Sequence, residues 1–368
     1  MSLARDIADL GSSATRLDTV GSNVVTNGSM SVSQRGTSFT GLGADGESYN
    51  LDRFVTFASS TAGRATITQD ADSPDGFANS LKVACTTADT SVAAGEIFVL
   101  QHRIEGQDLQ RFAKGTSAAK EFAVSFYVKG NANATYVCEL FDVDNTRHVA
   151  KTFSVTTGWT RVELTFPADT TGAFGDDNGR SLDLTIWLHA GSTYTGGTLP
   201  STWAAKVNAN RAVGATTSIF DSTARTFFIT GLQLQETSVT DFEHRSFSDQ
   251  LQACQRFFSK SYRYDKYAGD TSSLGWVQTE FHENNQGAGY REYYAFPFAV
   301  RMRATPSITI YDTAGNAGKC NYYISVGSGN TNKVLNVSST NERTFGGYSD
   351  RATSIGGWAC HYLADAEL

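Results

Sequence analysis

Clusters of lysine and arginine are missing from this 368-residue chain, which carries a formal net charge of −7. A protein that neutralises nucleic-acid phosphates needs such clusters, so a nucleic acid is excluded as the main partner. No apolar run is long enough for a membrane helix. The N-terminus has acidic residues where a secretory signal would be basic and then apolar. We therefore expect no membrane insertion and no export by that route.

Proline and charged residues are scarce: there are 5 prolines and 18% charged residues, against 40% hydrophobic residues and 34 glycines. This composition excludes a disordered chain, because it provides apolar side chains for one large core and one small core. Short alternating apolar runs between Gly, Ser, Thr and Asn favour an all-β protein. The predicted fold is an antiparallel jelly-roll β-sandwich followed by a smaller C-terminal β domain, with a short N-terminal coiled-coil helix.

Cysteine is rare, odd in number and widely spaced. This pattern predicts buried thiols in a chain made in a reducing cytoplasm, not a disulfide framework. The five cysteines are Cys85, Cys138, Cys254, Cys320 and Cys360.

A coiled-coil seam is present in residues 1–23, where apolar side chains recur at steps of four, three, four and three. A helix this short is marginal alone in water, so we predict that copies of the chain associate through it as an oligomerisation or attachment stalk. The alternative is a single amphipathic helix that lies on the body or frays. The seam residues are Leu3, Ile7, Leu10, Ala14 and Leu17.

Residues 24–245 contain alternating apolar runs that predict the strands of a two-sheet sandwich. A long polar insertion, residues 194–219, interrupts them, and loops of that length are usually functional or mobile. The predicted strands are 49–57, 65–69, 81–85, 122–128, 136–141, 149–155, 159–166, 182–189 and 227–234.

The stretch 226–258 changes its hydrophobic period and predicts the domain boundary. Its first half places apolar residues on every second position, which indicates a strand with one face to the core. Its second half places them three and four apart, which predicts a connecting helix over 246–258 that starts at Ser246. The proposed core-facing residues of the strand are Phe228, Thr230, Leu232 and Leu234, and those of the helix are Phe247, Leu251, Cys254 and Phe258.

Six more runs in residues 259–368 predict a C-terminal β domain that is rich in tyrosine. They are 276–281, 290–296, 307–311, 322–326, 334–337 and 357–363.

Catalytic signatures are absent: the sequence has no nucleophile elbow, P-loop or dinucleotide fingerprint. A glycosidase needs two carboxyl groups that flank one bond, and a sequence cannot show that any two converge. We therefore predict no enzyme, no cofactor and no metal, and interpret the oxygen-rich loop 176–178 as a turn. The acidic residues that could supply such a pair by number alone are Glu96, Glu105, Asp108, Asp142, Asp144, Glu163 and Asp183.

Trp187 is the predicted sugar contact, because it lies on the strand face opposite Leu184, Ile186 and Leu188. A flat ring among hydrogen-bonding side chains suits the C–H surface and the hydroxyls of a sugar. The alternative is that Trp187 packs in the core or under the insertion. The full predicted site consists of Trp187, Trp203, Asp183, His189 and Tyr194.

Two motifs resemble the opening of carbohydrate-binding-module-like jelly-roll domains of bacteriophage tail fibres and receptor-binding proteins. Two more resemble the segment that joins such a domain to a distal β domain and the core of that distal domain. In this order they are NGSMSVSQRGTSF from Asn27, YNLDRF from Tyr49, QACQRFFSKSY from Gln252 and FPFAVRMRATPSITIY from Phe296. The closing strand of this region, which is followed by a Phe-Glu-x-Arg corner, is similar to the family's last strand. If the sandwich begins at the asparagine-glycine turn and ends with the strand 227–234, its two ends should pair.

The resemblance implies a virion protein made in the host cytoplasm. It also implies a homotrimer that is joined to other virion proteins through its N-terminus and that contacts host-surface polysaccharide. Relatives with a calcium site carry acidic residues where this chain has Ser29 and Thr230-Gly231, so we predict no calcium there. Alternatives to a fibre or spike subunit are a head decoration or cement protein and a polysaccharide depolymerase.

Deleting Met1 to Gly21 tests the stalk. Both β domains should stay folded, while the assembly loses mass in solution, because the seam is predicted to hold copies together. Light scattering and circular dichroism of the truncated and full chains measure the two effects. An unchanged mass would contradict the coiled-coil role.

Overall fold

The computed structural model describes residues 23–281, 291–325, 328–350 and 356–368. The predicted coiled-coil residues Leu3, Ile7, Leu10, Ala14 and Leu17 lie outside this part of the chain. The described residues form two compact units. Unit 1 contains the described residues up to Ser33, Thr37–Phe247 and Leu368, and unit 2 contains Gln34–Gly36 and Ser248–Glu367.

Unit 1 is an antiparallel sandwich of two sheets, and the predicted all-β jelly-roll class is confirmed. The six-stranded sheet has the order β1-β4-β5-β13-β7-β10, and the seven-stranded sheet has the order β12-β9-β8-β11-β6-β3-β2. The strands are β1 (Ser38–Leu42), β2 (Gly46–Tyr49), β3 (Phe54–Ser59), β4 (Arg64–Asp70), β5 (Ser80–Thr87), β6 (Ile97–Glu105), β7 (Phe122–Gly130), β8 (Ala134–Asp142), β9 (Arg147–Val155), β10 (Thr160–Phe166), β11 (Arg180–Ala190), β12 (Ala204–Ala205) and β13 (Thr226–Glu236).

The core of unit 1 is filled by alternate side chains of both sheets. On β7 the residues in this core are Phe122, Val124, Phe126 and Val128, as the alternation predicts. On β11 the leucines and Ile186 face this core, while Trp187 lies in a separate cluster on the outer face. Pleating thus gives each sheet one inner and one outer face.

The two ends of the sandwich pair, which confirms the sequence prediction. The N–H of Val24 donates to the carbonyl of Leu234 at 3.0 Å, and the N–H of Leu232 donates to the carbonyl of Gly28 at 2.9 Å. A Cβ on Gly28 would lie 2.0 Å from the carbonyl oxygen of Leu232. Glycine is therefore required for the opening turn to approach the closing strand so closely.

The predicted orientation of β13 is wrong in its first half. Phe227 and Ile229, not Phe228 and Thr230, face the core. The register with β7 shifts between Thr230 and Gln233, and Gly231 there has a φ of +63°. The extra residue of this β-bulge reverses the alternation, so Leu232 and Leu234 point inward as predicted.

The central strand β6 was not among the predicted strands, although all nine of its residues are buried. Its sequence mixes Ile and Phe with His102, Arg103 and Glu105, so it lacks a polar face that would mark a strand. Contacts within the fold engage several of these polar groups: Arg103, for example, forms an ion pair with Glu47.

The polar insertion is ordered. It contains helix α1 (Ser192–Thr195), strand β12 and a 3₁₀ turn at Asn208–Asn210. The N–H of Ala212 donates to Tyr194, and that of Ile219 donates to Leu188 of β11. Backbone hydrogen bonds therefore fix the insertion on the sandwich.

Unit 2 is built around β22 (Gly356–Asp365), which pairs with four strands. The other strands are β14 (Phe258–Lys260), β15 (Val277–Phe281), β16 (Arg291–Pro297), β17 (Ser307–Tyr311), β18 (Lys319–Ser325), β19 (Ser328–Val334), β20 (Asn336–Thr340) and β21 (Thr344–Asp350). Strands β16, β21 and β20 form a separate three-stranded sheet. Trp358, Tyr322 and Phe345 lie in the core of this unit.

The connecting helix α2 (Phe247–Gln255) is shorter than predicted. Phe258 belongs to β14 instead, because the backbone there pairs with β22. Of the predicted apolar stripe of this helix, Cys254 is buried, whereas Phe247 is exposed.

All five cysteines are free and buried, as predicted. No helix of the described residues is both long enough and apolar enough to span a membrane.

Substituting Gly231 tests the bulge. Gly231→Ala should lower the free energy of unfolding by at least about 1–2 kcal/mol, because a side chain at positive φ is strained. The added Cβ would also lie 2.8 Å from Phe77 Cζ and 3.0 Å from Tyr127 Cδ2. Urea unfolding measures the change. Gly95→Ala, where a Cβ meets open space, is the matched control, and equal effects of the two substitutions would contradict the argument.

Candidate functional site

The insertion covers part of the outer face of the seven-stranded sheet. Side chains from β6, β8, β9 and β11 form a small apolar cluster with residues of the insertion. Its members are Ile97, Val99, Val137, Ala150, Trp187 and Ala212, with Phe57, Ala190, Tyr194, Leu199 and Ala215 packed against it. The surface on which the sequence predicts sugar binding is therefore a buried interface between sheet and insertion.

Trp187 lies inside this interface and is only 1% exposed. Its ring packs against Tyr194 at 5.4 Å, and the guanidinium carbon of Arg211 lies 4.9 Å from the ring centroid. Its indole N–H donates to Glu139 at 2.9 Å. A sugar cannot stack on a ring that is covered in this way, so the structure corrects the predicted contact to a packing role under the insertion.

Glu139 is the buried charge that organises this interface. Arg211 donates two hydrogen bonds to Glu139, from Nε at 2.9 Å and Nη2 at 2.8 Å, and His148 Nδ1 lies 2.8 Å from its carboxylate. Burial acts to raise the pKa of Glu139, but the charge of Arg211 and the hydrogen bond to His148 outweigh it and hold that pKa below its ordinary value.

The other predicted site residues do not converge on Trp187. Asp183 is buried and accepts two hydrogen bonds from Arg180. Trp203 is 7% exposed, packs in the main core against Phe122 and donates to the carbonyl of Pro167. Of the predicted set, only Trp187 and Tyr194 are in ring contact.

An open aromatic surface lies instead on the outer face of the six-stranded sheet. One row crosses three strands: Lys82 on β5 pairs with Phe228 on β13, which pairs with Lys129 on β7. Trp159, which precedes β10, lies beside Phe228 and Lys129. The second row places Arg161 beside Tyr127. We call the surface formed by Phe77, Tyr127, Trp159, Phe228 and Phe242 the aromatic face.

The rings of the aromatic face differ in exposure. Phe228 is 7% exposed beneath the two lysines, whose ammonium groups lie 5.1 Å and 5.5 Å from its centroid. Trp159, Tyr127, Phe77 and Phe242 are half-buried. Open apolar ring surface is therefore available beside charged side chains.

Asp72 provides the hydrogen-bonding centre of the face. Its carboxylate accepts from Lys129 Nζ at 2.5 Å and from the indole N–H of Trp159 at 3.0 Å. The hydrogen bonds from Lys129 and Trp159 hold the pKa of Asp72 below its ordinary value. The Asp72 side chain is 40% exposed, so its carboxylate keeps acceptor positions open to solvent.

The bulge at Gly231 lets the rings meet. Phe77, on the β4–β5 loop, folds back over the glycine and contacts Tyr127 at 5.4 Å and Phe242 at 5.0 Å. The loop is fixed because Ser73 donates to the carbonyl of Phe77 at 2.6 Å. Phe242 belongs to the Phe-Glu-x-Arg corner of the sequence, which therefore contributes to this face.

The sequence contains a signal for this face. The alternation of the predicted strand 122–128 places Phe126 and Val128 toward the core, so Tyr127 and Lys129 must point outward. The same argument places Lys82 outside, between Leu81 and Val83. The convergence of the β4–β5 loop with Trp159 has no sequence signal, because it depends on strand order.

One group of described residues could hold a metal. Asp89 and Glu96, between β5 and β6, and His189, near the end of β11, bring one ligand atom each within 4.8 Å of one another. Burial favours the neutral acid, but the N–H of Ala62 and the hydroxyl of Thr61 hold the pKa of Asp89 below its ordinary value. The three residues have no motif spacing, so the sequence gives no sign that they converge.

No family model matches the chain, and no curated protein matches it by sequence. Several solved structures are similar. A family 11 carbohydrate-binding module from Clostridium thermocellum, in complex with a β-1,3-1,4-mixed-linked tetrasaccharide, is 8% identical, with a TM-score of 0.28 over 56% of this chain and 98% of that one. A family 30 carbohydrate-binding module is 12% identical, with a TM-score of 0.31 over 62% and 94%.

The enzymatically active domain of tailspike protein 4 of bacteriophage CBA120 is also similar. It is 12% identical, with a TM-score of 0.30, over 58% of this chain and 21% of that one. Likeness at this level assigns neither a ligand nor an activity.

Substituting Arg211 tests the buried pair. Arg211→Ala should lower the free energy of unfolding at neutral pH by about 3–5 kcal/mol, because it leaves Glu139 buried without its cation. Since the folded-state pKa of Glu139 is lowered in the native chain, its stabilising contribution is present above the ordinary pKa of about 4.3 and is lost as pH falls through the lowered value. In the variant, burial should raise the pKa of Glu139. The loss in free energy of unfolding relative to the native chain should therefore shrink on acidification.

Urea unfolding of both proteins at neutral and acidic pH measures this. Lys120→Ala, which breaks an exposed pair with Glu236, is the control and should cost less than about 1 kcal/mol. A deficit of Arg211→Ala that grows on acidification would contradict the assignment.

Proposed function

We propose that this chain is a phage fibre or spike subunit that binds host-surface glycan through the aromatic face and does not cleave it. The observation that carries the proposal is the half-buried Trp159 ring beside the exposed carboxylate of Asp72 and the ammonium of Lys129. Sugar recognition combines an apolar ring with fixed hydrogen-bonding groups, and this surface offers both.

The charges of the aromatic face favour an uncharged saccharide. Lys82 pairs with Asp70 at 3.2 Å, and Lys129 pairs with Asp72. Arg161 lies 3.3 Å from Glu163. An anionic sugar would have to displace a carboxylate from each cation, whereas a hydroxyl can donate to the carboxylate and accept from the ammonium.

Binding without cleavage is supported by the ion pairs of two acids, Asp142 and Asp183, that could have formed a catalytic pair. Asp142 accepts from the fully buried ammonium of Lys114 at 2.5 Å, and Asp183 is held by Arg180. A glycosidase acid or nucleophile must instead reach the scissile bond. These two carboxylates are structural in the arrangement described.

The virion assignment rests on the sequence motifs and the predicted stalk. A single sugar site is weak, and three copies on one stalk would raise avidity by effective concentration without new contacts. We therefore propose a homotrimer that is attached to other virion proteins through its N-terminus and is located in the virion.

The test is adhesion of the purified full chain to host cells and to shed polysaccharide, with release of reducing sugar scored in parallel. Trp159→Ala should weaken glycan binding at least about tenfold, because it removes the stacking surface. Its melting temperature should change little, since the ring is half-buried at the surface.

Phe57→Ala removes a half-buried ring from the other sheet and is the control, for which binding should persist. Loss of binding in Phe57→Ala but not in Trp159→Ala would move the site to the seven-stranded sheet. Released sugar would indicate a depolymerase. If the chain neither adheres nor cleaves, a decoration protein with affinity for shell protein becomes the better assignment.

A further inference from the structure

We propose that Asp89, Glu96 and His189 form a binding site for a divalent transition metal such as Zn²⁺. The three residues are 6%, 4% and 1% exposed, and their ligand atoms lie within 4.8 Å of one another. This site does not depend on the proposed glycan binding.

Charge balance points to a cation. Two carboxylates are buried together, and within the described part of the chain their hydrogen bonds and ion pairs involve no lysine or arginine. Buried charges in proteins are paired or coordinate a metal. Even a protonated His189 would leave one negative charge, whereas a divalent ion with neutral His189 brings the set to zero.

The same sheet contains a second buried histidine–glutamate pair that shows what is missing. His148 lies 2.8 Å from Glu139, much as His189 lies 2.9 Å from Glu96. At Glu139, Arg211 supplies the positive charge. Near Glu96, the neighbouring charged group is a second carboxylate, that of Asp89, and not a cation.

The ligand atoms are held by outer contacts of the kind that orient metal ligands. The N–H of Ala93 donates to Glu96 at 2.8 Å, and that of Ala62 donates to Asp89 at 2.7 Å. His189 Nδ1 lies 2.7 Å from the hydroxyl of Ser218. With Nδ1–H donating to that oxygen, the lone pair of Nε2 is available to a metal.

The donor set selects the class of ion. One imidazole nitrogen with two carboxylates suits Zn²⁺ and its first-row neighbours, whereas Ca²⁺ and Mg²⁺ need six or more oxygens or several retained waters. Ligand atoms around a tetrahedral Zn²⁺ are separated by about 3.3–3.6 Å, as follows from bonds of about 2.0–2.2 Å. The separations here, from 2.9 Å to at most 4.8 Å, bracket that value.

The experiment uses the full chain, stripped with a chelator and titrated with Zn²⁺ by calorimetry, with melting temperature as a second readout. We expect one saturable site per chain and a higher melting temperature with zinc, because an ion that binds only the folded state stabilises it. Glu96→Gln and His189→Gln should each weaken zinc binding at least about tenfold. Co²⁺ should give the visible absorption of a low-symmetry site.

His148→Gln is the matched control, since it alters the charge-balanced pair and should leave zinc affinity unchanged. If His189→Gln fails to fold, Glu96→Gln alone decides, because it keeps the side-chain shape. Absence of a saturable site, or a site of equal affinity in Glu96→Gln and the native chain, would overturn the proposal.

Discussion

The open surface of this protein depends on one backbone event, the bulge of β13 at Gly231. Strand β13 pairs on both sides, with β5 and β7, and must keep its apolar residues inward along its whole length. An extra residue at positive φ changes the phase of the strand, so Phe228 and Thr230 lie outside while Leu232 and Leu234 stay inside. The absent side chain at the bulge also gives Phe77 and Tyr127 the space in which their rings meet.

The two outer faces of the sandwich have opposite arrangements. On the seven-stranded sheet the insertion covers part of the face, and a bidentate Arg211–Glu139 pair compensates the charge that is buried beneath it. On the six-stranded sheet the face stays open, and its carboxylates and ammonium groups pair at the surface. A buried face requires full satisfaction of its polar groups, while an open face can exchange water for a ligand. This difference is why the open face is the candidate for binding.

Several parts of the fold were accessible from local pattern. The alternation of β5, β7 and β11 was sufficient to place Leu81, Phe126 and Leu184 inside, because a strand has period two and each of these strands has one polar face. The pairing of the two ends also followed from the position of the asparagine-glycine turn. Strand β6 was not predicted, because its charged residues are buried and contact partners distant in sequence, as Arg103 contacts Glu47. A single-residue bulge likewise leaves no periodic signal, so the alternation of β13 wrongly predicts that Phe228 faces the core.

The sequence by itself determined the fold class, the inward faces of the regular strands, the free buried cysteines and the presence of a tryptophan on the outer side of β11. Only the tertiary structure decided whether such a residue meets solvent or protein. Trp187 and Trp159 both lie away from the main core, yet the insertion covers one and leaves the other half-buried. The convergence of Asp89, Glu96 and His189 was also decided by strand order, since residues about a hundred positions apart become neighbours when β6 pairs with β11. Strand pairing between distant segments sets these contacts, and a local pattern carries no information about which segments pair.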